Sequence, residues 1–431
     1  MLANEKSVST NASGQRTSMP TQLIVKLMLK VFDRLEYFLT RTTENAEVAA
    51  EIIAKTMPIM HLHVDKAIIK IISQSSLLGV IIGKLLFATT EYTSVMTRVK
   101  AISLLSGGLD SILATELIRR QGIEVITFNI KTPFGIPKKD GASEAAQAAD
   151  QLKVPLKVVT VEQDYLRMLR KPKHGYGRNL NPCVDCKIFI LKKAKKYAKE
   201  IGADFIFTGE VLGERPMSQH GPALKVIAEE SGLKGKLLRP LSAKLLAETV
   251  AEKKGLVDRT KLLSIQGRSR KPQFALAQEY GITVYPSPAG GCLLTCEEYC
   301  KKLRDLFENK RYISMVDLAL LRVGRHFRFG KNKIIVGRNE VENKFLTANK
   351  ARSDFYFETC DVVGPTTLLQ GPKEKTAIET AAKLTASYSD TKSGEVTVKF
   401  GKIALDKTIS VSLPKKSDVD KLRVGNAKKG I

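Results

Sequence analysis

Ser106-Gly107-Gly108-Leu109-Asp110-Ser111 follows directly on the apolar run Ala101-Ile102-Ser103-Leu104-Leu105 and precedes the helical pattern Ile112–Arg119. The run reads as a buried parallel strand. A strand, a glycine turn and a helix start make an anion site, because free backbone N–H groups and the positive end of the helix dipole point at one spot. Gly107 and Gly108 let the backbone approach phosphate closely. Ser106 and Ser111 add hydroxyl donors, and Asp110 can hold a magnesium ion bridging the phosphates. No Gly-Lys-Ser/Thr ending follows, so this is not the usual P-loop.

Around this stretch, residues 97–290 alternate strands with helices. Strands are expected at Lys100–Leu105, Glu124–Ile130, Leu156–Val161, Asp204–Thr208 and Lys236–Pro240, and helices at Ser111–Gln121, Ala142–Leu152, Lys187–Ile201 and Ser242–Lys254. The alternation predicts an α/β domain over residues 96–309, with a doubly wound parallel sheet covered on both faces. Ligands of such sheets lie beyond the carboxyl ends of the strands. The loop at 106–111, the end of the second strand at Phe128–Lys131, and Thr208-Gly209-Glu210 should therefore converge on one nucleotide, with Gly209 among its contacts.

The flanks differ. Residues 1–95 suggest a helical extension, with helices around Leu23–Leu39 and Ala46–Ile59 and no chemistry-bearing motif. Met96 would make a natural start, and the extension is read as dispensable. Residues 310–431 predict a smaller α+β domain carrying nearly half of the chain's excess positive charge. Within it Arg322, Arg325, Arg328, Lys331, Lys333 and Arg338 are interleaved with Phe327, Phe329 and Tyr312. Such a strand can track phosphates and stack on bases, or be a solvated face over a core. The tail Lys415–Lys429 is expected to be disordered.

The 431 residues suffice for two or three domains, and a hydrophobic content of 43% is ordinary for a globular chain. A net charge of +26 points to a polyanionic partner, nucleic acid first. No secretory signal is visible, and the most apolar stretch, Leu77–Ala88, is too short to span a bilayer and carries Lys84. The expectation is a soluble, cytoplasmic protein without a membrane partner.

Six cysteines in a chain of this length are no secreted disulfide framework. Cys183-Val184-Asp185-Cys186 precedes a helix, and Cys292 follows the turn Ala289-Gly290-Gly291. The doubly wound layout lets all three reach the mouth that holds the glycine loop. Three thiolates suit a [4Fe-4S] cluster with one open iron, or zinc with His174 or His220 as fourth ligand, or metal-free persulfide chemistry. Lys187 can favour the thiolates. Cys296 and Cys300 would share a helix face with Cys292 as spare thiols, and Cys360 falls in a strand-like run as a core residue.

Ser106–Ser111 resembles the PP-loop of ATP pyrophosphatases, the adenine nucleotide alpha hydrolase-like fold. Asn181-Pro182-Cys183-Val184-Asp185-Cys186-Lys187, Gly202–Ile206 with Thr208-Gly209-Glu210, Arg239-Pro240-Leu241, Gly267-Arg268-Ser269-Arg270 and Ala289-Gly290-Gly291-Cys292 extend the likeness to tRNA thiolation enzymes. These are the relatives of tRNA 2-thiouridylase and tRNA 4-thiouridine synthase. The resemblance covers roughly Met96–Leu306; the last domain more weakly resembles an RNA-binding module. It implies ATP and Mg2+ as cofactors and tRNA as partner, together with a sulfur donor, either sulfide or a persulfide carrier. It implies adenylation of a uridine carbonyl oxygen and displacement of AMP by sulfur, giving 2-thiouridine or 4-thiouridine. In cluster-bearing members three cysteines so arranged hold an iron–sulfur cluster. On these grounds Asp110, Cys183, Cys186 and Cys292 are the expected catalytic residues, the three cysteines the metal ligands, and Ser106, Gly107, Gly108, Asp110, Ser111 and Gly209 the nucleotide contacts. Glu210 stands where 2-thiouridylases carry histidine. Two alternatives are an amide-forming ATP pyrophosphatase and a zinc-stabilised RNA-binding factor with a regulatory nucleotide site.

Overall fold

The computed structural model describes residues 99–136, 143–286, 292–391 and 394–425. The expected helical extension and the turn Ala289-Gly290-Gly291 lie outside the described residues. The described residues belong to one compact unit. Its first half contains β1 (Lys100–Leu104), α1 (Leu109–Arg119), β2 (Glu124–Lys131), α2 (Glu144–Leu152), β3 (Leu156–Thr160), α3 (Gln163–Arg170), α4 (Cys183–Glu200) and β4 (Phe205–Thr208). It continues with α5 (Gly221–Glu230), β5 (Leu237–Leu238), α6 (Val250–Lys253), α7 (Lys271–Glu279) and α8 (Glu297–Asn309).

The five strands form a sheet of order β3-β2-β1-β4-β5, every pair parallel. Central β1 is apolar at successive positions because both of its faces are covered. Ala101 packs with Leu109, Leu113, Phe205 and Leu276 on one side, and Ile102 with Phe128, Leu191, Ile206 and Ile227 on the other. Truncating a fully buried leucine such as Leu113 would cost about 2–5 kcal/mol. The order reverses between β1 and β4, and the crevice at that switch point is where ligands of open α/β sheets sit.

The second half contains α9 (Met315–Leu320), β6 (Arg325–Phe329), β7 (Asn332–Val336), α10 (Glu340–Ala348), β8 (Phe355–Thr359), β9 (Thr367–Gln370), α11 (Lys375–Ser387), β10 (Glu395–Gly401), β11 (Lys407–Ser412) and α12 (Lys416–Leu422). Its six-stranded sheet, order β11-β10-β8-β9-β7-β6, is antiparallel throughout. One face packs on α11 through Phe357, Val398, Ala381 and Leu384.

Four local expectations change. Leu320–Phe329 is not one strand: a helix ends at Leu320 and Gly324, at φ +68°, turns the chain into β6. Ser242–Lys254 is broken into a 3-10 turn at Ala243–Leu245 and the short α6, whose start is fixed by the Thr249–Glu252 capping box. The basic tail is ordered as far as Gly425, because Val419 is buried and Val424 N–H donates to the His326 carbonyl. Cys292 and Cys296 precede α8 rather than ride on it, so Cys292, Cys296 and Cys300 share no helix face. Among the described residues no helix is long and apolar enough to cross a membrane.

Candidate active site at the sheet switch point

The loop after β1 is braced by its own side chains. Ser111 Oγ donates to the Gly108 carbonyl (2.8 Å) and accepts from Ser106 N–H (3.2 Å) and Ser106 Oγ (3.2 Å). Asn129, at the end of β2, donates from Nδ2 to the Leu105 carbonyl (2.7 Å) and holds the loop's entry. Gly107 sits at φ +88°, and a Cβ there would fall 2.4 Å from the Glu144 backbone. Gly209 is equally constrained: a Cβ would lie 2.5 Å from the Asp110 carbonyl oxygen and the Ser111 nitrogen. The end of β4 is thus pressed against the start of α1, and Gly209 meets the loop through backbone.

Asp110 opens α1 and does not stand alone. Arg270 Nη2 lies 3.6 Å from Asp110 Oδ2, and Arg270 Nε lies 3.9 Å from Glu214 Oε1. Glu214 is held above the usual carboxyl range by burial first and by the neighbouring Asp110 charge second. Asp110 Oδ1, Glu214 Oε2 and Arg270 Nε are buried without hydrogen-bond partners. Oxygen donors in that state suit a hard divalent cation, and the guanidinium beside them suits phosphate. Glu214 escaped the sequence reading; only its place in the loop after β4 could have flagged it.

Cys183 begins α4 and Cys186 lies one turn on. Asp185 anchors this turn by accepting from Lys173 N–H (2.9 Å) and His174 N–H (3.0 Å). Cys292 comes from a strap joined to the β2 exit: Gly135 bridges Cys292, and Leu293 N–H donates to the Phe134 carbonyl (3.0 Å). All three thiols are raised above the ordinary range, each chiefly by burial. Cys292 is pushed up to about 11, with the charges of Cys186 and Cys183 adding to burial. Cys186 and Cys292 pack in one apolar cluster with Phe134, Tyr165 and Tyr299. Tyr165 hydroxyl donates to Cys186 Sγ (3.2 Å), another contact that sequence gave no sign of.

Among the described residues no three His, Cys, Asp or Glu side chains gather tightly enough for a single metal ion. The histidines named as zinc partners are engaged elsewhere. His174 Nε2 meets Glu230 Oε1 (3.1 Å), and His220 Nδ1 caps α5. Cys300 is buried, with Sγ donating to the Leu294 carbonyl (3.2 Å). Cys360 is half-buried just past β8.

One buried carboxylate and two cations, Arg239 buried and Lys187 half-buried, tie the thiol region to the sheet. Glu210 is 2% exposed, bonded to Arg239 (3.0 Å) and 3.4 Å from Lys187. Burial works to raise its carboxyl, and Lys187 and Arg239 outweigh that and hold it low. Glu210 therefore fixes the lysine beside Cys186 instead of facing the nucleotide loop. The charges of Lys187 and Arg215 both favour the Cys183 thiolate. Arg215 is the residue after Glu214, so one short loop after β4 carries both the carboxylate that pairs with Arg270 beside Asp110 and a guanidinium whose charge favours the Cys183 thiolate.

Comparison with known proteins agrees with this picture. Residues 96–254 match the family described as thiamine biosynthesis protein (ThiI), and residues 324–423 match the NFACT protein RNA binding domain. A "Probable tRNA sulfurtransferase" of Thermococcus kodakarensis is 32% identical over 149 residues, 34% of this chain and 37% of the relative. A tRNA-specific 2-thiouridylase MnmA of Syntrophotalea carbinolica is 32% identical over 136 residues, 30% of this chain and 38% of the relative. The chain thus spans little more than a third of the length of these curated relatives. A crystal structure of a 4-thiouridine synthetase–RNA complex with bound ATP is 20% identical, covers 52% of each chain and gives a TM-score of 0.30. Residues 96–254 are accordingly similar to the ThiI family and to tRNA thiolation enzymes, and in the same chain residues 324–423 are similar to the NFACT RNA binding domain.

Proposed function

We propose that this protein is an ATP-dependent tRNA sulfurtransferase, in which residues 96–309 perform the chemistry and residues 310–431 hold the RNA. The feature that supports this most is the β1/β4 switch point, where Arg270 lies 3.6 Å from Asp110 and 3.9 Å from Glu214 on the loop after β4, while Glu210 just past the same strand lies 3.4 Å from Lys187, the residue after Cys186. Activation by ATP and delivery of sulfur then share one crevice.

A uridine carbonyl is a poor electrophile, and its oxygen is a poor leaving group. In the first step that oxygen attacks the α-phosphorus of ATP, the α–β bridging bond breaks, and pyrophosphate leaves. In the second, reduced sulfur attacks the activated carbon and AMP departs with the former carbonyl oxygen. The backbone N–H groups of 106–111 and Arg270 stabilise the departing pyrophosphate. Asp110 would hold Mg2+, which neutralises charge on the phosphates. Lys187 and Arg215 favour an anionic sulfur at Cys183.

Three half-buried thiols, with no histidine among them, suit a [4Fe-4S] cluster better than zinc, because such a cluster is held by thiolates and spans a wider set of them than one ion does. Cys183, Cys186 and Cys292 would hold it, and the cluster would supply iron chemistry for binding inorganic sulfide. Sulfide, rather than a persulfide carrier, is the donor that fits this arrangement. Use of ATP and tRNA supports a cytoplasmic site for the reaction.

The test is reconstitution under anaerobic conditions with ATP, Mg2+, sulfide and an unmodified tRNA transcript, followed by mass spectrometry of the nucleosides. One thiolated uridine formed with AMP and pyrophosphate is expected. AMP without any thiolated nucleoside would turn the reading toward the amide-forming class. A colourless zinc protein that makes no AMP would turn it toward a binding factor.

A further inference from the structure

The basic stretch between 322 and 338 is largely spent on the protein itself. Arg322 donates to the carbonyls of Pro133 (2.6 Å) and Gly135 (3.2 Å). Arg328 and Lys333 both meet Asp305, at 2.6 and 3.3 Å. Arg338 pairs with Glu342, and Arg325 donates to the Gly337 carbonyl (3.1 Å) while lying over the Tyr388 ring. Phe327 is fully buried. What remains for a phosphate there is Lys331.

A different set of cations gathers where β8 begins and the β10–β11 hairpin turns. The register Gly401↔Tyr356 lays the hairpin turn beside Phe355 and Tyr356. Lys350 Nζ stands 5.1 Å over the Tyr356 ring and donates to the Lys402 carbonyl. Lys402 and Lys407 place their ammonium groups 5.4 and 5.9 Å from the Phe355 ring centre. Phe355 is itself fixed edge-on against Phe400 (5.7 Å, 86°). Tyr356 hydroxyl donates to the carbonyl of Ile403 (3.3 Å), whose side chain is 88% exposed at the hairpin tip. Arg352, Lys402 and Lys407 are exposed, and among the described residues neither they nor Lys350 enters an ion pair. Asp406 is the only acid between 401 and 407.

We propose that this end of the second sheet, built on Lys350, Arg352, Lys402 and Lys407 around Tyr356 and Ile403, is the surface that grips the RNA backbone. The inference rests on the tRNA reading above. Arg352, Lys402 and Lys407 give up no ion pair on meeting phosphate and Lys350 gives up one carbonyl, whereas most cations of 322–338 must first break bonds to carbonyls or carboxylates. The aromatic rings beneath them fix the ammonium groups in place, and an exposed isoleucine offers an apolar contact to sugar or base.

The test measures binding of an unmodified tRNA transcript to the full chain by fluorescence anisotropy over a salt series. Lys350→Gln/Lys402→Gln/Lys407→Gln should weaken binding roughly ten- to a hundredfold near physiological salt and flatten the log–log salt slope by about 2. Arg338→Gln, which removes a paired cation, should stay within about twofold. Equal affinity and slope for wild type and the triple variant would overturn the surface. So would a loss in Arg338→Gln as large as that of the triple variant, or displacement of tRNA by polyglutamate as effective as displacement by RNA. No tRNA binding by the wild type would instead strike the tRNA reading itself. Matching circular dichroism melts establish that the variants are folded.

Discussion

The nucleotide loop and the thiol pocket stand on the same sheet and are made in opposite ways. The first is six consecutive residues whose hydroxyls brace one another, with backbone as its working part. The second is assembled from the α4 start, the strap at 292 and the exit of β2, and side chains are its working part. A contiguous site tolerates movement elsewhere and fails when its own turn is filled. An assembled site fails when any of its supports is removed, however far that support lies along the chain.

The largest effects should separate the two. Asp110→Ala is expected to lower ATP–pyrophosphate exchange at least about a hundredfold, because it removes the carboxylate proposed to hold Mg2+ on the phosphates. Iron content should be unchanged. Cys183→Ala should lose iron and leave pyrophosphate release intact. Exchange and iron falling together in either variant would mean that the two sites are one.

Next in size is Gly209→Ala. Its methyl would collide with the α1 backbone, an overpacking worth about 1–3 kcal/mol. ATP affinity, read by calorimetry, should fall roughly tenfold while thiol content holds. Unchanged affinity would show that the loop can give way.

Arg322→Ala should act on the thiol side only. Freeing the Pro133 and Gly135 carbonyls costs on the order of 1–2 kcal/mol. Exchange of the Leu293 amide should then quicken roughly tenfold, with Arg322→Lys near wild type. A change in ATP affinity would contradict the assignment of Arg322 to the strap.

The smallest effect lies where α8 meets the second sheet. Burial holds Lys333 down at about 8, against 10.5 when exposed. Between those values the unfolded chain carries more protons than the folded one, so this lysine's cost is full below pH 8 and fades as pH rises toward 10.5. The melting temperature of the wild type should therefore gain on that of Lys333→Met between pH 8 and 10. Parallel curves would place the ammonium in water.

The sequence disclosed what is local. The β1 run, the glycine turn and the Cys183–Cys186 pair are adjacent residues whose chemistry follows from their order. The strand alternation was likewise legible, because both faces of β1 demand apolar side chains. Glu214, Arg215, Tyr165 and Arg322 were not legible, since each acts on a residue distant in the chain. The basic residues of 322–338 left two readings open, a phosphate track or a solvated face over a core, and their partners lie too far along the chain to decide: Asp305, 23 residues from Arg328, claims Arg328 and Lys333. Short β9 passed unnoticed, since four residues give too little periodicity to stand out.

The adjacency of Glu214 and Arg215 has a practical corollary for catalysis. Under the proposed reaction, one peptide links the residue paired with Arg270 beside Asp110 to the residue whose charge favours the Cys183 thiolate, so the two stages cannot move apart independently. An adenylated base is prone to hydrolysis, and a coupled hand-over would leave water little opportunity to intercept it. Lengthening the loop by even one residue between these two positions should therefore uncouple the stages, with AMP made in excess of thiolated product.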